Sequence, residues 1–143
     1  MISEGPYSNV SADGTPYDEA EWLHISREVR LHHECAHVVC RRLMPEDVLP
    51  VWDEVTADVT GLLCATGRYD AALAGCFLGV TVECFAGGRL SEYLDEAQPP
   101  RIDAIAAEVY GALEKIEART VCEPPKDPFG FLLDLKRDPL IGF

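Results

Sequence analysis

The residues in this sequence best suited to chemistry are His33-Glu34-Cys35-Ala36-His37. On a helix, two histidines four apart share one face with their ring nitrogens converging, which is what a first-row metal needs from two imidazoles. Glu34 stands about 100° round the helix from His33, so it flanks such an ion rather than joining the ligand row. From there its carboxylate can take a proton from a water whose pKa the cation lowers towards neutrality. A His-Glu-x-x-His string arises by chance in only about one chain in several hundred of this length.

The run Asp53-Glu54-Val55-Thr56-Ala57-Asp58 opens the next predicted helix. Helices joined by a short turn are normally antiparallel neighbours, so this acidic stretch returns alongside the histidines. Glu54 can complete a two-His, one-carboxylate site with an open fourth position. Asp58, one turn further on, is placed to accept the second N–H of a ligand histidine and fix its tautomer. Asp53 competes for the third ligand position; Glu54 is preferred because only it has Asp58 at i+4, and Asp53→Asn is expected to do little. Cys40 lies on the same face and reads as a buried thiol, while His32 falls off the ligand row. Glu83 reads as a helix-edge residue, His24 as a surface one, and Tyr69 and Tyr110 as the hydroxyls available to developing charge.

These two segments resemble the gluzincin zinc metallopeptidases, which pair HExxH on one helix with E-x-x-x-D on a following one. The resemblance covers residues 33–58, carried by His33-Glu34-Cys35-Ala36-His37 and Glu54-Val55-Thr56-Ala57-Asp58. It implies zinc on His33, His37 and Glu54, Glu34 as general base and Asp58 as the carboxylate behind a ligand. The implied activity is that of a small metal-dependent hydrolase acting on a peptide or other amide. Two further readings share these ligands. Two histidines and a carboxylate also form the Fe(II) triad of non-haem oxidative enzymes, and a metal that staples two helices need not be catalytic.

Composition narrows the partners. A formal charge of -13 over 143 residues repels phosphate backbones and anionic lipid, which argues against nucleic acid and membrane and for a neutral or cationic small-molecule or peptide substrate. Residues 1–20 contain no basic segment followed by an apolar run, and the six cysteines include no CxxC pair. Cys35, Cys40, Cys64, Cys76 and Cys84 fall in apolar helical patterns and read as free thiols of a cytoplasmic protein, while Cys122, in a loop, is left open.

The expected fold is all-α, a compact bundle of four to five helices with the HExxH helix at its centre. Residues 1–15 read as a flexible lead and 16–143 as one helical metal-binding domain. Thr15-Pro16 starts a helix running to about Met44, with Ser26 a candidate internal cap, and Pro45 and Pro50 bracket a turn. A second helix spans about Val51 to Thr66, stopped by Gly67. A third, apolar almost all round, runs from the N-cap Asp70 to Gly87-Gly88; it is too short and too broken by Glu83 for a bilayer. A fourth covers Ile102 to about Ala118. The tail from Val121, with Phe129 to Leu133, is apolar enough to dock, either within the chain or as a contact for a homodimer or protein partner.

Overall fold

The computed structural model describes residues 3–44, 50–94 and 101–138. Among them are five α-helices and no strand, in an all-α fold. The central pair is α1 (Glu19–Leu43), which carries HExxH, and α2 (Pro50–Thr66). The start of α1 lies past the expected Thr15-Pro16. Asp18 accepts from the Glu21 amide at 2.8 Å while the Glu21 side chain accepts from the Asp18 amide at 3.1 Å, a reciprocal cap stronger than a proline alone. Ser26 does not interrupt the helix; it is buried inside it. The Pro45–Pro50 turn falls mostly outside the described residues.

The second helix matches its expected span, with Pro50 at its first turn, and Gly67 follows it at φ 75°. From Val55 to Leu63 every residue of α2 is buried. Gly61 explains how α1 approaches so closely: a Cβ there would sit 2.7 Å from the Val29 carbonyl oxygen. That close crossing sets the His33/His37 face of α1 against the Glu54 face of α2.

The third helix departs most from expectation. Helix α3 (Ala71–Leu78) begins at the Asp70 cap but ends at Gly79, not at Gly87-Gly88. Gly79 is left-handed (φ 73°), and a Cβ on it would lie 2.4 Å from the Gly87 carbonyl carbon. Only glycine permits that conformation and that contact, so the chain doubles back through a Val80–Phe85 bridge and Ala86 N–H donates to the Gly79 carbonyl at 2.7 Å. Glu83 and Cys84 are therefore exposed loop residues rather than helical ones. A short 3₁₀ turn, Arg89–Tyr93, follows.

Helix α4 (Ile102–Cys122) packs on α3 and extends past Ala118, which makes Cys122 its last residue instead of a loop residue. The apolar tail is helix α5 (Pro128–Arg137), capped by Asp127 and docked chiefly on α2. Its Leu132 is fully buried in a cluster with Ala36, Cys40 and Ala57. All six cysteines are free, but only Cys40 is buried; Cys35 and Cys64 are half-buried and the rest exposed.

Residues 3–18 are not a loose lead. They form 3₁₀ turns at Tyr7–Asn9 and Ala12–Gly14, and Tyr7 belongs to the main core with Trp22, Val29 and Phe77. No described helix is long and apolar enough to cross a membrane.

Candidate metal centre

The i, i+4 spacing on α1 does bring the two imidazoles together. His33 and His37 are 5% and 8% exposed, and their Nε2 atoms lie 3.0 Å apart. Glu54 projects from α2 between them, with Oε2 at 3.3 Å from His33 Nε2 and Oε1 at 3.3 Å from His37 Nε2. These three residues are the one group among the described residues able to hold a metal ion. Atoms bound to a tetrahedral zinc at 2.0–2.1 Å stand about 3.3 Å from one another. The Nε2–Nε2 distance and the approach of one Glu54 oxygen to each imidazole fall within a few tenths of an ångström of that figure.

Each imidazole is held from behind by a carboxylate. His33 Nδ1 lies 2.8 Å from Asp58 Oδ1, as the sequence suggests, and His37 Nδ1 lies 2.9 Å from Asp53 Oδ2. A carboxylate can only accept, so each Nδ1 carries the proton and each Nε2 turns a lone pair inward. Two imidazole lone pairs and both oxygens of the Glu54 carboxylate then face one another, an arrangement that demands a cation or protons.

The charges around the group express the same demand. Burial penalises a charged His33, but hydrogen bonds to Asp58 and Glu54 outweigh it and lift its pKa to about 9. Hydrogen bonds to Asp53 and Glu54 lift His37 to about 9 against its burial. Burial opposes ionisation of Glu54, yet the two histidines hold its carboxyl below the usual range. The bond from His37 pulls Asp53 down to about 2, against burial and with help from Lys136.

A further ring of groups fixes these carboxylates, and none of it was expected. Asp58 accepts from Tyr7 Oη at 2.6 Å and from Arg89 Nη2 at 2.6 Å. Arg89 Nη1 also comes within 3.5 Å of Glu54, and Tyr93 Oη donates to Glu54 Oε2 at 3.1 Å. Lys136 Nζ, on α5, donates to Asp53 Oδ1. Burial opposes the Arg89 charge but Asp58 favours it, and its pKa rises, so it is a permanent cation. Burial, then the Asp58 charge, push the Tyr7 phenol far above its ordinary pKa, which keeps it a neutral donor.

The expected ligands His33, His37 and Glu54 are thus brought together, with Asp58 on His33. Asp53 does not compete with Glu54 but serves His37, a role its position beside Glu54 could have suggested. Glu34 is exposed and lies outside the converging group. Of the other residues singled out, His32 sits against the Glu28 carbonyl at 2.9 Å, and Tyr69 is buried in the core with no hydrogen bond to its hydroxyl.

Fold and site together define an all-helical protein with a group of two histidines and a glutamate able to hold a metal ion. The chain belongs to a family of unknown function, DUF7005, whose model matches residues 1–122. That match includes His33, His37 and Glu54 together with Asp53, Asp58, Tyr7, Arg89 and Tyr93, and stops before α5 and Lys136. No curated protein and no solved structure matches the chain.

Proposed function

We propose that the protein holds a divalent ion, zinc first, on His33, His37 and Glu54, and that the centre hydrolyses a peptide or other amide. The observation that carries the reading is the convergence of the two Nε2 atoms, 3.0 Å apart, on the Glu54 carboxylate, whose Oε2 and Oε1 each lie 3.3 Å from one of them, with the imidazoles already oriented by Asp58 and Asp53. Three protein ligands leave one coordination position, the pattern of catalytic rather than closed structural zinc sites. The ion would supply an acidified water and a polarised carbonyl. Glu34, about 60° round α1 from His37, is on the solvent side, where a proton-transfer group must be reachable by substrate. Its exposure and the -13 charge favour neutral or cationic substrates.

One observation favours a second reading. The network around the ligands joins Tyr7, α1, α2, Arg89 and the α5 residue Lys136, so a bound ion would also staple the whole fold. The readings separate on protein purified without added metal. Elemental analysis should find about one equivalent of zinc; one equivalent of iron with an oxygen-sensitive spectrum would support the oxidative alternative instead. Glu34→Gln should retain the ion while amide turnover falls about a hundredfold or more. Loss of metal in Glu34→Gln would make Glu34 a ligand. A fully loaded wild type inert towards a panel of amides would leave the staple.

A further inference from the structure

The centre leans on a residue of the N-terminal segment. Tyr7 is 5% exposed, and its hydroxyl lies 2.6 Å from Asp58 Oδ1 and 2.9 Å from His33 Nδ1. The guanidinium carbons of Arg30 and Arg89 stand over its ring at 5.7 and 5.1 Å, and Phe77 meets it edge-on at 4.8 Å. Arg89 is the same group that neutralises Asp58 and approaches Glu54. One aromatic ring therefore supports the partners of two of the three ligands.

The segment is also fastened at points away from the ligands. Tyr7 N–H donates to Ser26 Oγ at 3.0 Å, Trp22 Nε1 donates to the Val10 carbonyl at 2.7 Å, and Arg30 donates to the carbonyls of Ser3 and Gly5. Directly after Tyr7, Ser8 and Asn9 adopt φ of 53° and 59°. Consecutive left-handed residues that carry side chains are unfavourable, and they persist where surrounding contacts over-determine them. The inserted tyrosine is such a contact.

We propose that residues 3–10 are a latch on the metal centre, in which Tyr7 is a positioning residue for His33 and docking of the segment is coupled to loading of the ion. The proposal rests on His33, His37 and Glu54 being the ligands. The Tyr7 hydroxyl has one proton, and it goes to Asp58; that carboxylate then receives Tyr7 and His33 on the same oxygen and Arg89 on the other. Held from three sides, Asp58 keeps the His33 ring turned with Nε2 towards Glu54. With the segment undocked, water would reach Asp58 and Arg89 and the ring would lose that restraint. Coupling is reciprocal, so whatever the docked segment contributes to ion affinity the ion returns to docking.

The test uses the full chain with zinc or cobalt(II) as probe, comparing wild type, Tyr7→Phe and Ser26→Ala. Tyr7→Phe keeps the ring and removes the hydroxyl; Ser26→Ala loosens the segment without touching a ligand. Zinc should slow hydrogen exchange across residues 3–10 of the wild type. In competition with a chromogenic chelator, Tyr7→Phe should bind zinc about ten- to a hundredfold more weakly, the range for losing a group behind a ligand. Its cobalt visible spectrum should shift. Ser26→Ala should weaken zinc about fivefold, the scale of one buried hydrogen bond passed through the coupling. If the wild type binds zinc and Tyr7→Phe matches it in affinity and cobalt spectrum, or if zinc leaves exchange of residues 3–10 unchanged, the latch is wrong while the metal site stands. If the wild type binds neither ion, the ligand assignment itself fails and the latch with it. Should Tyr7→Phe not fold, Ser26→Ala decides: unchanged zinc affinity there overturns the coupling.

Discussion

Replacing Asp58 by asparagine is the sharpest probe of how the centre is held. Asp58 is 2% exposed and takes hydrogen bonds from Tyr7, His33 and Arg89 at 2.6, 2.8 and 2.6 Å. Asparagine preserves the shape, but its amide NH₂ must face either Arg89 or the Tyr7–His33 pair, and both are donors. Whichever way the amide turns, Arg89 keeps a charge whose one remaining ion-pair partner among the described residues is Glu54, at 3.5 Å. Breaking a buried ion pair by removing one partner is worth about 3–5 kcal/mol, so the metal-free protein should lose about 3 kcal/mol or more of stability. His33 is left less firmly oriented, and zinc should bind about ten- to a hundredfold more weakly. Asp53→Asn offers the comparison. It holds His37 as Asp58 holds His33, so a similar loss of affinity is expected. Its side chain is 35% exposed, which screens the pair, and its cation is Lys136, which is 1% exposed. A lysine can meet such a loss by giving up its proton, which an arginine cannot, so Asp53→Asn should destabilise the metal-free protein less than Asp58→Asn. Urea unfolding in chelator measures stability, and competition with a chromogenic chelator measures affinity. The reasoning fails if Asp58→Asn stays within about 1 kcal/mol of wild type, or if Asp53→Asn leaves zinc affinity unchanged.

Acidity should act on the metal-free and metal-loaded proteins in opposite directions. His33 and His37 are raised to about 9, and the 3.0 Å between their Nε2 atoms leaves room for one proton, so zinc should bind about tenfold more weakly for each pH unit below 9. Without metal, a folded-state pKa above the unfolded 6.5 contributes stability that is fully present below pH 6.5 and disappears as pH rises through 9. Titrations at pH 6.5, 7.5 and 8.5 check both; matching signs would contradict the arrangement. Gly61→Ala should destabilise the fold by about 1–3 kcal/mol and weaken zinc as well, because the new Cβ meets the Val29 carbonyl and pushes α1, with its histidines, away from Glu54 on α2. Thermal unfolding and chelator competition on that variant would show stability falling with affinity intact if the helix crossing does not set the site.

Residues 33–58 were enough to expect these side chains to converge, because everything needed there is local. A histidine pair four apart on one helix and a carboxylate pair four apart on the next require only helical geometry and a short turn, and His33, His37, Glu54 and Asp58 do meet. The all-helical class, the Asp70 cap and the Gly67 stop were legible for the same reason. Where α3 ends was not. The apolar run continues beyond Gly79, and what stops it there is the backbone of Gly87 and Gly88 lying against that glycine, a contact no periodicity contains. The groups that hold the carboxylates of this cluster are further still from local pattern. Tyr7 lies 51 residues from Asp58, Arg89 lies 31 from it, and Lys136 lies 83 from Asp53. A tyrosine in an unpatterned lead, an arginine after two glycines and a lysine in an apolar tail carry no distinguishing signal along the chain. They acquire their roles because burial makes an unpartnered carboxylate costly, and the folded chain satisfies each one with whichever donor the packing of its core brings within reach.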